Sequence, residues 1–424
     1  SSGLDGGRIR VNANGVPMPG CYQIPVAGTW IGANAGGKIV YADGTTGAKV
    51  PAEGETVDVT VTSSVTRPCS GLTVNGADYG FDRAGIVRIP AADIAAAGGL
   101  DLVPETIAST DWYVDAVNGN DANNGFFPGK AKKKLVEVFK LGTLLAGDTV
   151  HAAAGTYRDG DMEPAFVNSA PSTIHSRVVV PDGVTLVADE GPAATVIEGS
   201  SPNGSGNRFS ADAIRCASVC AKGILKGFTI LGGQTMDNAT ADKTVNGGQD
   251  DGCGGGVLAA SGGTVVGCVI TNCCACRGGG ASGNGAKYVS TEFRCNSASA
   301  TSSAAYYGEY FGCFLDGNAN AGGQVVRYCA GLHNCTVTAN NPGGYFQEFI
   351  DKRMIANSIV QIRVHIQKGA SVTVTNTVYS SFGGTDCGTP IDAGGNVAGV
   401  STADPSTWGW LAWERPPEGT AWDE

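Results

Sequence analysis

The chain has 424 residues, of which 65 are glycine and only 16% are charged, with a formal net charge of −11. Evenly spread apolar residues at this low charge exclude a disordered chain, and the acidic balance argues against a protein that tracks nucleic-acid phosphates. No apolar run approaches the ~18 residues a membrane-spanning helix needs.

The first residues open at Ser1 directly into polar, Gly-rich sequence, the start expected of a processed secreted protein. Residues 1–107 carry strand-like runs at Arg8–Val11, Lys38–Tyr41, Val57–Val61 and Ile86–Ile89, separated by Gly and Asn/Asp turns. They predict a small antiparallel β-domain serving as a spacer, an anchor or a carbohydrate-binding module. Cys21 and Cys69 fall within it and are candidates to pair. The 14 cysteines as a whole show no zinc-ligand spacing, although Cys273, Cys274 and Cys276 crowd together.

Residues 111–157 read as a strand (Asp111–Asp115), a turn-rich loop (Asn118–Gly125) and a helix from Lys130 to Leu145. Leu135, Val138, Phe139 and Leu145 fall near one helical face. A strand at Thr149–Ala152 and a turn at Ala154–Tyr157 follow. The order WYVDAVNGNDANNG…AKKKLVEVFKLGTLLAGDTVHAAAGTY resembles the N-terminal cap of bacterial right-handed parallel β-helix proteins of the pectate-lyase-like superfamily. That resemblance implies an all-β right-handed parallel β-helix over residues 111–400, with 111–157 as a cap containing a capping helix. It also implies a secreted or cell-surface, bacterial protein. It does not imply one activity, because the fold hosts lyases, hydrolases, epimerases and adhesins.

The repeat beyond residue 220 supports the same architecture. Phe228, Cys268, Thr291, Cys313, Cys335, Ser358 and Thr377 are separated by 40, 23, 22, 22, 23 and 19 residues. About 22 residues is one coil of a parallel solenoid. Two residues on lie Ile230, Ile270, Phe293, Leu315, Val337, Val360 and Tyr379; three residues before lie Leu225, Val265, Tyr288, Tyr310, Leu332, Ile355 and Val374. Both of these columns are apolar throughout, and alternation turns the set beginning at Phe228 and the set beginning at Ile230 inward, with the residue between them outward. Cys268, Cys313 and Cys335 then read as small core residues. Asn296, Asn318 and Asn340, each 22 apart, predict a ladder of side-chain bonds to the next coil's backbone.

Extra length marks a site. The long 40-residue step places an insertion just after Ile230, a shorter one follows Thr195–Ile197 near 200–212, and a third loop spans 158–176. Insertions at one position of successive coils predict a walled groove. The largest carries Asp237, Asp242, Lys243, Asp250 and Asp251; Asp237, Asp242, Asp250 and Asp251 are candidate Ca²⁺ ligands. Catalytic candidates are Lys222, Lys243, Arg215, Arg277, Asp250 and Asp251, since removing a proton beside a uronate carboxylate needs a base and a cation. Lys226 lies nearby. Substrate-binding candidates are Arg208, Asp237, Asp242, Glu292, Arg294 and Asp316; the register stacks Arg294 on Asp316 as an ion pair on adjacent coils. His151, His175, His333 and His365 are scattered and are given no role.

Residues 401–424 hold Trp408, Trp410, Trp413 and Trp422 and read as a Trp-rich C-terminal cap or linker, with more sequence expected to follow. Two functions stand. One is a secreted or cell-surface protein that engages polysaccharide, as a polysaccharide lyase, a hydrolase or a carbohydrate-binding protein. The other is a non-catalytic adhesive or structural protein, an adhesin-like repeat chain that is part of a larger or self-associating assembly. The partner in either case is a polysaccharide or cell-surface glycan, not nucleic acid.

Overall fold

The structure, a computed structural model, describes residues 111–141, 143–162, 174–200, 212–236, 251–320, 323–338, 340, 345–366, 368–383 and 387–398, and the backbone of short strands between 9 and 105. Three long parallel sheets dominate it. Sheet A runs from Asp111–Val114 through Thr149–Ala152, Thr185–Ala188, Ile224–Lys226 and successive coils to Thr389–Asp392. Sheet B runs from Gly155–Tyr157 through Thr195–Glu198 and Thr229–Leu231 to Val397–Ala398. Sheet C runs from His175–Val180 through Ile214–Val219, Val257–Ala259, Ala281–Ser282 and Ala305–Tyr306 to Val326–Arg327. The chain visits A, B and C in turn and climbs one strand per circuit, so the fold is a right-handed parallel β-helix, the hand that L-residue crossovers impose.

The predicted columns are the observed register. Ile230 pairs with Ile270, Ile270 with Phe293, Phe293 with Leu315, Leu315 with Val337, Val337 with Val360 and Val360 with Tyr379. Leu225, Val265, Tyr288, Tyr310, Leu332, Ile355 and Val374 align in the same way in sheet A. Nearly all of these side chains are buried in one continuous core; Tyr379 packs at its margin.

The corner from sheet A to sheet B explains the small buried column. Gly227, Gly267, Ser290, Gly312, Asn334, Asn357 and Asn376 each take a positive φ, which turns the next residue inward. Except at Phe228, whose side chain is apolar, that next residue donates to carbonyls of its own turn or of the coil before. Cys313 Sγ donates to Tyr288 O and Phe311 O, Cys335 Sγ to Tyr310 O and His333 O, and Thr377 Oγ1 to Ile355 O and Thr375 O. The cysteines here are weak donors in a dry stack. Burial pushes the Cys268 thiol up to about 11, so Cys268 holds no reactive thiolate at neutral pH.

Beyond sheet B the asparagine ladder is present. Asn318 Nδ2 donates to Phe293 O, Asp316 O and Asn340 Oδ1, while its own Oδ1 accepts from Asn296 N and Asn296 Nδ2. The ladder leads into a fourth, short sheet D of Cys274–Arg277, Ser297–Thr301 and Ala319–Asn320, which sequence reading missed. Gly254–Gly256 and Gly278–Gly280 stack at the corner from D to C. A Cβ on Gly279 would collide with Ser297 O, and one on Gly280 would lie 2.6 Å from Ala304 O, so only glycine lets the backbones approach.

Two local expectations change at the start of the solenoid. The helix is Leu135–Phe139 alone, packed against Asp111–Val114 and His175–Val180. Leu141 and Leu145, at 43% and 51% exposure, lie off its buried face; the chain breaks there toward Gly147, whose φ is 95°. Ala154–Tyr157 is not merely a turn: Gly155–Tyr157 is the first strand of sheet B, because Tyr157 turns inward and its hydroxyl donates to Val114 O and Ala153 O. Among residues 9–105, the strands pair antiparallel, with Gly37–Tyr41 on Thr56–Ser63, Thr56–Ser63 on Ile86–Pro90, and Gly71–Val74 on both Ala77–Tyr79 and Leu102–Glu105.

Candidate functional site at the corner of sheets B and C

Three inserted loops leave the solenoid at one corner, between sheets B and C. Their spans 163–173, 201–211 and 237–250 lie outside the described residues, but their roots are defined. Met162 bridges Ser176, Ser200 bridges Ile214, Gln234 bridges Cys274 and Cys253 bridges Arg277. On the coil that follows, the positions matching Gln234 and Cys253 are Cys274 and Arg277, joined by only Ala275 and Cys276 within the short strand of sheet D. The insertions therefore decorate an intact frame.

The first of these roots assembles a charged cluster. The antiparallel bridge between Met162 and Ser176 brings Asp161 onto His175, and Asp161 Oδ2 accepts from His175 Nδ1. Both side chains are about two-fifths exposed, at 38% and 43%. Arg177, two residues along the same face, donates from Nε to Glu198 O and from Nη1 to Gly160 O, each at 2.8 Å. Half burial lowers the Arg177 pKa, and Asp161, Asp159 and Glu198 act in the opposite sense; a guanidinium stays charged regardless. Arg158 Nη2 lies 3.3 Å from Glu198 Oε2. A carboxylate on Nδ1 fixes the imidazole proton there and leaves Nε2 as the basic atom.

Sequence reading passed over His175 because 13 residues of loop separate it from Asp161. Only the strand bridge makes the pair.

The sequence-chosen residues scatter by comparison. Arg215 is 1% exposed, with Nε on Gly254 O and Nη2 on Cys253 O, so it braces the D–C corner from inside. Asp251 Oδ1 accepts from Ile174 N, 3.3 Å away, at the edge of the cluster. Lys222 is exposed, with a φ of 55°, at the corner from C to A, and Lys226 is exposed on sheet A. Arg208, Asp237, Asp242, Lys243 and Asp250 lie outside the described residues. Glu292, Arg294 and Asp316 stand on sheet B. The expected Arg294–Asp316 pair is replaced: Arg294 Nε binds Glu292 Oε2 at 2.7 Å and lies over the Phe314 ring, while Asp316 accepts from Thr338 Oγ1. Glu292 is nearer because it shares the strand face with Arg294 two residues away.

Arg277 belongs to a second grouping farther along sheet C. Its guanidinium lies 5.9 Å from the Tyr306 ring centre. Tyr306 projects from the outer face of sheet C onto Leu258, Ala260 and Cys253, with Tyr307 and Tyr328 against it. The Tyr307 and Tyr328 rings stack at 5.0 Å, and Arg327 lies 4.8 Å from the Tyr328 ring centre. Tyr307 and Tyr328 hold φ values of 67° and 55°, a conformation that costs an L-residue roughly 1–2 kcal/mol. Earlier coils turn the corner from C to A over four residues, with Gly183, Lys222, Gly262 or Gly285 in that conformation. Here the turn shortens to Tyr307–Gly308 and then to Tyr328 alone.

No family model matches the chain, and no curated protein matches it. Among solved structures, a rhamnogalacturonan lyase is similar at 14% identity over 64% of this chain and 74% of its own, with a TM-score of 0.43. The pectate lyase Pel9A is similar at 12% over 68% and 79%, with a TM-score of 0.36. A pectin methylesterase from carrot is similar at 13% over 70% and 86%, with a TM-score of 0.35. The described residues form no group of three or more His, Cys, Asp or Glu suited to a metal ion, and no described helix is long and apolar enough to cross a membrane.

Proposed function

We propose that the chain binds an acidic polysaccharide along the B–C corner and cleaves it by β-elimination, with His175 as the base. The observation that carries this reading is the His175–Asp161 pair beside Arg177 at the root of the inserted loops. Asp161 and Glu198 are engaged by His175 and Arg158, so the cluster offers one base and neighbouring cations rather than a free acid–base pair of carboxylates. His175 Nε2 removes the proton α to the uronate carboxylate. The electron pair forms the C4=C5 double bond as the C4–O bond to the next sugar breaks, and the leaving oxygen takes up a proton. Arg177 and Arg158 oppose the charge that builds on the carboxylate.

Such a substrate places the protein outside the cell or on its surface. Residues 1–107 act as an attached antiparallel module; the Trp-rich segment 401–424, a cap or linker by sequence, lies outside the described residues. The test is the ultraviolet absorbance of unsaturated product released from a panel of uronate polymers, polygalacturonate and alginate among them. The wild-type chain generates it; His175→Ala lowers the rate ~100-fold or more. A wild-type chain that binds these polymers without releasing such product overturns the catalytic part.

A further inference from the structure

A polysaccharide held at His175 extends beyond one sugar, and the outer face of sheet C offers it a path. From His175–Val180 the strand Ala305–Tyr306 is four steps away and Val326–Arg327 five. At about 4.8 Å per strand these are roughly 19 and 24 Å from the charged cluster along the solenoid axis, and the register sets Tyr306 level with Val179, farther along the strand than His175. At that distance stand three tyrosines with a guanidinium at each end, Arg277 near Tyr306 and Arg327 over Tyr328.

Two observations separate this group from ordinary packing. Tyr307 and Tyr328 occupy left-handed backbone on consecutive coils, at a corner where Gly183, Lys222, Gly262 and Gly285 serve other coils and, among the described residues, no other aromatic does. A large aromatic held in an unfavourable conformation is retained for something other than the turn. Both tyrosines are also only partly buried, unlike Tyr288 and Tyr310 inside the core.

We propose that Tyr307 and Tyr328, with Tyr306, Arg277 and Arg327, form a second glycan-binding site on the outer face of sheet C. It takes a sugar ring of an acidic polysaccharide whose reacting bond lies at His175. Aromatic side chains offer the apolar C–H face of a pyranose a flat partner, and the guanidiniums meet its carboxylate by charge-assisted hydrogen bonds. This rests on the proposed function above, because it concerns a remote part of the same substrate. The site adds affinity and fixes which stretch of chain is presented, without touching the reacting atoms.

The experiment measures affinity electrophoresis of the full chain in gels containing polygalacturonate, alginate or neutral dextran, beside thermal melting. Replacing both residues, Tyr307→Gly and Tyr328→Gly, relieves the backbone while removing the platform. The expected result is an affinity for uronate polymers weaker by about tenfold, an unchanged or higher melting temperature, and no effect of dextran. If the glycine variant does not fold, Tyr307→Asn with Tyr328→Asn, which tolerates the same φ, decides. His175→Ala retains the binding and loses turnover. Variants that remain folded and bind within about twofold of wild type overturn this site and leave the His175 reading intact. A wild-type chain that binds no uronate polymer overturns both.

Discussion

Asn318 lies between Asn296 and Asn340, and its side chain takes part in five hydrogen bonds, three donated and two accepted. Asn318→Ala leaves buried carbonyls and an amide without partners, and chemical denaturation will show a loss of about 2–4 kcal/mol. Tyr288 is the opposite case. Its ring stacks on Tyr310 in the core at 5.2 Å, but its hydroxyl has no hydrogen-bond partner. Tyr288→Phe keeps the packing and drops an unpaired polar atom; the same measurement will find it neutral or stabilising by up to about 1 kcal/mol. At the start of the solenoid, burial raises the pKa of Asp121, but hydrogen bonds from Lys134 and Lys133 outweigh it and the net shift is downward. Asp115 shifts the same way: burial is outweighed by bonds from Asn118 and Val117. A lowered folded value means the stabilisation is present above the unfolded carboxylate value near 4 and is lost as pH falls through the folded one. Amide exchange in residues 115–134 will therefore accelerate in acid below about pH 4, and Asp121→Asn will flatten that dependence.

At the scale of elements, the D–C corner is the least tolerant place described. Gly279→Ala drives a Cβ into the Ser297 carbonyl, which the next coil cannot vacate without opening sheet D. Equilibrium unfolding will register a loss of about 3 kcal/mol or more. The inserted loops behave oppositely. Replacing 237–250 by a short turn will leave the circular dichroism spectrum and the cooperative melt in place, because the neighbouring coil joins the matching positions, Cys274 and Arg277, through two residues. The two cases also mark what the sequence displayed. The Ile270–Val337 and Val265–Leu332 columns were legible because every coil spends an apolar residue there, and hydropathy records it. The corner of Gly254–Gly256 and Gly278–Gly280 occupies two coils and gives way to Ser302–Ala304 on the next; glycine is chosen there for what it lacks, and no apolar period announces it. His175 and Asp161 meet through a bridge across a loop, and Tyr307 matters through its φ; neither property is written in residue type or spacing. The loop positions were readable from length alone, since a coil of known period makes any surplus visible.

Across the whole molecule, each coil contacts mainly the coil before and the coil after, so stability is built from neighbouring interfaces rather than one central nucleus. The interior sulfurs give that arrangement an experimental use. All twelve described cysteines are thiols, nine of them buried, and they are distributed from Cys216 to Cys387 along the axis. Sulfhydryl-trapping reagents admitted during slow opening would modify each position only when its own turn of the solenoid parts. Mass spectrometry of the tagged peptides then reads out, thiol by thiol, from which end the rod frays and how far the fraying travels.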